Sequence, residues 1–142
     1  MLRLTRRYRF SASHRLRCPA LSEQENVAVY GKCSNPEGHG HNYVLEVRVC
    51  GAADPRTGRL MSIGDLDRLV EEEVLSRLRH RNLNVEAAGL AGAIPTTENL
   101  AAGIRAALLA RWAGVFAGGA AKLDRVRVCE TRRNCFETQC QP

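Results

Sequence analysis

The stretch His39-Gly40-His41-Asn42-Tyr43-Val44-Leu45-Glu46-Val47-Arg48-Val49-Cys50 decides the fold of this chain. Side chains of an extended strand alternate between two faces, so His39, His41, Tyr43, Leu45, Val47 and Val49 share one face. Glu46 and Arg48 point to the other. The N-terminal segment repeats the pattern: Leu2, Leu4, Tyr8, Phe10, Ala12 and His14 lie opposite Arg3, Thr5, Arg7, Arg9, Ser11 and Ser13. Arg6 interrupts the apolar side. Each strand therefore ends its apolar face in histidine, and imidazoles on a buried face are costly unless paired or coordinated. Three imidazoles that meet a divalent ion leave its fourth position free, the layout of a catalytic rather than a closed structural zinc site.

Between the two strands runs a long connection, Arg15 to Gly38, with a short helix expected after Ser22 because Ser22 and Glu25 have capping-box spacing. Cys33 sits near its end, in a Gly/Asn/Pro-rich stretch. After a turn at Asp54-Pro55-Arg56-Thr57-Gly58, a first main helix starts at the N-cap Ser62. It carries Ile63, Leu66, Leu69, Val70, Val74 and Leu78 on one stripe, with Asp65 and Asp67 at its start and Arg77 and Arg79 at its end. A second helix is capped by Thr96 or Thr97 and repeats Leu100, Ile104, Leu108 and Trp112. A hairpin follows: Leu123 to Thr131, a turn at Arg132-Arg133-Asn134, and Cys135 to Thr138. In its first strand Val126, Val128 and Glu130 share a face. The order ββααββ predicts an α+β domain spanning residues 1–142, with a four-stranded antiparallel sheet and two helices on one face.

At 142 residues the chain can bury roughly two thirds of its unfolded surface. Its N-terminus lacks the apolar core of a signal peptide, and Arg105 and Arg111 break the Ala/Gly-rich stretch from Ala101 to Ala121, so neither secretion nor a membrane span is expected. Six cysteines without CxxC spacing are read as reduced, and the location as cytoplasmic. A net charge of +6 raises the question of nucleic acid, but aromatics are only 5% and the arginines are dispersed. A basic surface also steers a polyanionic small substrate such as a triphosphate.

Ser11-Ala12-Ser13-His14-Arg15-Leu16, Gly31-Lys32-Cys33-Ser34-Asn35-Pro36-Glu37-Gly38-His39-Gly40-His41-Asn42-Tyr43, Thr96-Thr97-Glu98-Asn99 and Glu130-Thr131 follow one another in this order. With these motifs the chain closely resembles the 6-pyruvoyl-tetrahydropterin synthase family over essentially its whole length. The resemblance implies the tunnelling fold (T-fold), in which trimers close their sheets into a barrel and stack as homohexamers, with active sites between subunits. It implies zinc on His14, His39 and His41, Cys33 as catalytic base and His80 as a second proton-transfer group. Glu130 would anchor the pterin, with Thr97 and Glu98 near its pocket. The implied reaction is a zinc-dependent lyase step that converts 7,8-dihydroneopterin triphosphate to 6-pyruvoyl-tetrahydropterin and releases triphosphate. The spacing from Cys33 to the His-Gly-His favours this branch over the related 6-carboxytetrahydropterin synthases.

One position departs from the family. The pattern Leu-Asp-His before the second proton-transfer group reads Leu78-Arg79-His80 here, and a cation beside His80 disfavours the imidazolium that an aspartate would support. Glu86 is the acidic residue that could fold back in its place. A related pterin enzyme, making the carboxy product or cleaving the side chain, and a weakly active pterin-binding homologue therefore stay open. So do plainer roles for single residues. Cys33 could be a fourth, structural zinc ligand, His80 a helix-end cap, and Glu130 a partner for one of many arginines. Thr96 and Thr97 could serve only as caps, and Glu98 only to complement the helix dipole.

Overall fold

The computed structural model describes residues 1–85 and 92–139; Glu86, Gly89 and Cys140 lie outside them. Four strands form one antiparallel sheet in the order β1-β2-β3-β4: β1 (Leu2–His14), β2 (His39–Gly51), β3 (Lys122–Cys129) and β4 (Cys135–Gln139). The register of β1 on β2 runs from Leu2 opposite Gly51 to His14 opposite His39, with Ala12 opposite His41. The alternation then puts Phe10, Ala12, Tyr43, Leu45, Val47, Val49, Val126 and Val128 on one buried face. Helices cover that face, as expected for an α+β T-fold.

Helix α1 (Glu23–Tyr30) occupies the long connection, and Ser22 and Glu25 form the anticipated capping box. The first main helix starts as α2 (Ile63–Val70), widens into a π-helical turn (Glu71–Leu75) and ends as α3 (Ser76–Leu78). Leu66, Leu69, Val70, Val74 and Leu78 are buried as the periodicity predicts. Ile63 instead stays exposed, and the extra residue in the π turn rotates Leu75 into the core. The long helix α4 (Thr97–Val115) is capped by Thr96, whose side chain accepts from the Asn99 N–H, and it buries Leu100, Ile104, Leu108 and Trp112.

Arg6, the interruption in the apolar face of β1, has a specific partner. Its guanidinium donates two hydrogen bonds to the Asp67 carboxylate on α2, at 3.0 and 2.6 Å, and the Tyr8 hydroxyl donates to the same group at 2.7 Å. Burial raises the Asp67 pKa, but these bonds and the Arg6 charge outweigh it and hold the carboxyl below its usual range.

Two expectations need correction. Cys129 and Cys135, read as reduced, form a disulfide, because antiparallel pairing sets them directly opposite with Cα atoms 4.0 Å apart. Strand β3 stops at Cys129, so Glu130 belongs to the turn, where its N–H donates to the Asn134 carbonyl at 3.0 Å. Glu46 lies on the outer sheet face as predicted, yet it is only 6% exposed. Register sets it between Arg7 on β1 and Arg127 on β3, and it accepts from Arg7 at 2.7 Å and from Arg125 and Arg127 at 3.4 Å.

Burial raises the Glu46 pKa, but the Arg7 hydrogen bond and the charges of Arg127, Arg7 and Arg125 outweigh it and leave the carboxyl below its ordinary value. A depressed folded-state pKa stabilises the protein above the unfolded carboxylate range, and that contribution disappears as pH falls through the folded value. Glu46→Gln is therefore expected to cost about 2 kcal/mol near neutral pH, the scale of a charged hydrogen bond with a desolvated partner left behind. Urea denaturation near neutral pH and in acid, below the folded-state value of Glu46, should show the gap between wild type and variant closing. An equal gap at both pH values would mean that the ionised carboxylate is not what stabilises this face.

Candidate metal centre

Four donors converge where β1 ends and β2 begins. The ligand atoms of His14, Cys33, His39 and His41 all lie within 4.8 Å of one another. Period-two alternation aims His39 and His41 the same way, and the antiparallel register brings His14 opposite His39. The three imidazoles stand edge to face, with centroids 5.0 Å apart for His14–His39 and His14–His41 and 4.6 Å for His39–His41.

Cys33 comes from the long connection, which is tied down at several points. The buried Asn26 amide donates to the carbonyls of Cys18, Leu21 and Ser22, and its oxygen accepts from the Cys18 N–H at 2.7 Å. After α1 a 3-10 turn (Gly31–Ser34) carries Cys33, whose carbonyl accepts from the Leu16 N–H at 2.7 Å. Arg15 Nε donates to the Ser34 carbonyl at 3.0 Å. Gly38 closes the loop at φ +68, where a Cβ would stand 2.9 Å from the His14 carbonyl oxygen.

The donor set fits a divalent ion. His14 is 1% exposed, and its Nδ1 lies 2.9 Å from the Pro95 carbonyl, just ahead of the Thr96 cap. That contact requires the proton on Nδ1, so Nε2 presents a lone pair. The Nε2 atoms of His14 and His41 are both buried without a hydrogen-bond partner. Orphaned buried nitrogens facing one another are expensive unless a cation satisfies them. Burial lowers the pKa of both rings; the Glu130 charge opposes this, and neighbouring imidazoles reinforce it. Both are thus held in the neutral form that binds metal. The protein groups push the Cys33 thiol up, through burial first and the Glu130 charge second. A bound cation would act in the opposite sense.

Glu130 reaches this cluster from the β3–β4 turn, with Oε1 3.0 Å from His41 Nε2 and 3.4 Å from His14 Nε2. Tyr43 was not singled out from sequence as a site residue, although it has the parity of His39 and His41. Its hydroxyl is 3.4 Å from His14 Nδ1, and burial raises its pKa well above the ordinary range, so it stays protonated. No sequence signal marks the Pro95 carbonyl, because any residue offers one.

The remaining sequence candidates lie around the cluster. Thr97 is buried at the start of α4, two residues after Pro95, whereas Glu98 is exposed on the first turn. His80 does not join the four donors. It is exposed just past α3, where its N–H donates to the Ser11 carbonyl at 2.7 Å and the adjoining segment pairs with the open edge of β1 at Ser13. Its φ of +59 is unusual for a residue other than glycine, a strain that persists only where surrounding contacts impose it. Ser11, Asn42, Arg9 and Arg79 line a groove of about 370 Å³ with it. The Arg79 guanidinium donates two hydrogen bonds to Glu71, each 3.0 Å, so its charge is matched locally.

The 6-pyruvoyl tetrahydropterin synthase family model matches residues 3–140. The 6-pyruvoyl tetrahydrobiopterin synthase of Dictyostelium discoideum is 42% identical over 131 residues, covering 92% of this chain and 90% of that protein. The Homo sapiens enzyme of the same name is 47% identical over 98 residues, 69% of this chain and 68% of its own length. The structure of Caenorhabditis elegans 6-pyruvoyl tetrahydropterin synthase superposes with a TM-score of 0.87 at 33% identity, covering 99% of this chain and 96% of that one. Sequence, fold and the histidine cluster agree, and the chain belongs to the 6-pyruvoyl tetrahydropterin synthase family.

Proposed function

We propose that this protein is a zinc-dependent lyase that converts 7,8-dihydroneopterin triphosphate to 6-pyruvoyl-tetrahydropterin and triphosphate. The observation that carries the proposal is the convergence of His14, His39 and His41 beside Cys33, with the Nε2 atoms of His14 and His41 buried and without a hydrogen-bond partner. His14, His39 and His41 would hold the ion. When bound there, a divalent cation supplies Lewis acidity toward hydroxyl oxygens of the substrate side chain, which makes a neighbouring carbon-bound proton removable. Cys33 takes that proton. Electrons released at carbon expel triphosphate, and internal proton transfers leave the pyruvoyl group without any redox cofactor.

In this reading the Glu130 carboxylate accepts two parallel N–H bonds from the pterin edge, with Thr97 and Glu98 beside the ring. His80 is the second proton-transfer group. Because it stands apart from Cys33 within one chain, it would serve a site completed by another copy, which fits a homo-oligomer built as a dimer of trimers. The Glu71–Arg79 pair supports retention of activity, since it offsets the cation that replaces the family aspartate. We assign the whole of residues 1–142 to this one domain and place it in the cytoplasm. No described helix is long and apolar enough to cross a membrane.

The test is anaerobic incubation of zinc-loaded protein with 7,8-dihydroneopterin triphosphate, following triphosphate release and the pterin product by mass. A pyruvoyl product is expected. A carboxy product or side-chain cleavage would move the protein to a related pterin reaction, and binding without turnover would leave a non-catalytic homologue.

Two variants separate the roles. His41→Ala is expected to lose stoichiometric zinc, read by metal analysis after dialysis, together with activity. His80→Ala should keep its zinc while kcat falls by about 100-fold or more, the range for a lost general acid–base group. Unchanged turnover in His80→Ala would remove it from the mechanism.

A further inference from the structure

We infer that Cys129–Cys135 is a thiol–disulfide exchange site that controls the turn carrying Glu130, so that reduction weakens the hold on a pterin ring. The exchange and its effect on the turn stand by themselves; the consequence for the ring rests on the role proposed for Glu130. The bond joins the last facing pair of β3 and β4, and Glu130 to Asn134 form the turn that it closes. Apolar burial contributes little to β4: none of its five residues is buried, and Phe136 is 38% exposed. Strand β3 differs, since Leu123, Val126 and Val128 belong to the core. Breaking the bond is therefore expected to leave the sheet intact and to loosen only its free edge and the turn.

That turn decides where the Glu130 carboxylate sits, with Oε1 3.0 Å from His41 Nε2 at the donor cluster. Its other ties are local. The Glu130 N–H donates to the Asn134 carbonyl at 3.0 Å, and Thr131 Oγ1 accepts from the Arg133 and Asn134 N–H groups at 3.2 and 3.1 Å. Thr131 to Asn134 are exposed, so water competes for these bonds, and the covalent link across the base is the strongest constraint on the turn. Cys129 and Cys135 are half-buried, which leaves the bond open to attack. A thiolate of a protein dithiol attacks one sulfur to form a mixed disulfide, and the second thiol of the dithiol then displaces the chain. Two electrons and two protons pass to the protein, leaving thiols on Cys129 and Cys135 and a disulfide on the reductant. In the cytoplasm, where we place the protein, such reductants keep purely structural disulfides scarce, and those that form there serve catalysis or redox sensing.

Zinc-loaded wild type, either oxidised or reduced with tris(carboxyethyl)phosphine, is compared with a Cys129→Ser/Cys135→Ser double variant, with zinc content checked in each. Amide hydrogen exchange is expected to accelerate at residues 130–135 on reduction and to stay unchanged where β1 pairs with β2. The Kd for 7,8-dihydroneopterin, which has no triphosphate to lose, is expected to rise about tenfold on reduction, the scale of ordering a loop on binding. The double variant should match reduced wild type and ignore the phosphine. Turn exchange that is indifferent to reduction would overturn the inference. So would a double variant that still responds to the phosphine, since another thiol would then be responsible. A faster turn with unchanged affinity, or no binding by either form, would overturn the link to the ring. These readouts need no turnover, so a protein that binds the ring without converting it fails the proposed function and not this inference.

Discussion

The pairing of β1 with β2 is the constraint on which the site depends. Thirteen residue pairs run in unbroken antiparallel register from Leu2–Gly51 to His14–His39. A slip of one residue would turn every side chain of β1 to the opposite face, exposing Phe10 and Ala12 and aiming His14 away from His39 and His41. The apolar face forbids that slip, since Phe10, Tyr43, Leu45, Val47 and Val49 are each at most 4% exposed. The core therefore does more than stabilise the sheet. It fixes the geometry of the imidazoles at its open end.

The opposite face of the same sheet adds a second lock on register. Arg7, Glu46 and Arg127 lie in one row across β1, β2 and β3. Shifting either strand pair would separate the carboxylate from its guanidinium partners and leave a poorly solvated charge. Arg6 performs a related task on the helical side, holding α2 to β1 through Asp67. Much of the positive charge of this chain is thus spent internally, which reduces what is free to meet a polyanion.

How much of this was legible in the sequence differs by residue. Period-two alternation gave the strands, and the same parity marked His14, His39, His41 and Glu130 as polar groups on an apolar face. Helix caps at Ser22, Ser62 and Thr96 were legible because a cap is a local event between a side chain and an N–H three residues on. The missing features are all non-local. Nothing near Glu46 in the chain announces that Arg7 and Arg127 will enclose it, and nothing near Pro95 announces that its carbonyl will set the His14 tautomer. The Cys129–Cys135 bond was missed because redox expectation was argued from spacing and compartment, whereas pairing across a hairpin decides proximity. Arg79 looked damaging beside His80 because sequence shows neighbours along the chain, and Glu71, back up the helix, is its real partner.

The central claim is that three imidazoles at the open end of the sheet hold one divalent ion. Anomalous diffraction at the zinc absorption edge, on crystals of zinc-loaded protein, tests it most directly. The account predicts one strong peak at the point shared by His14, His39 and His41, within coordination distance of all three rings. An ion bound elsewhere on the chain, or imidazoles that close on one another with no peak between them, would contradict it.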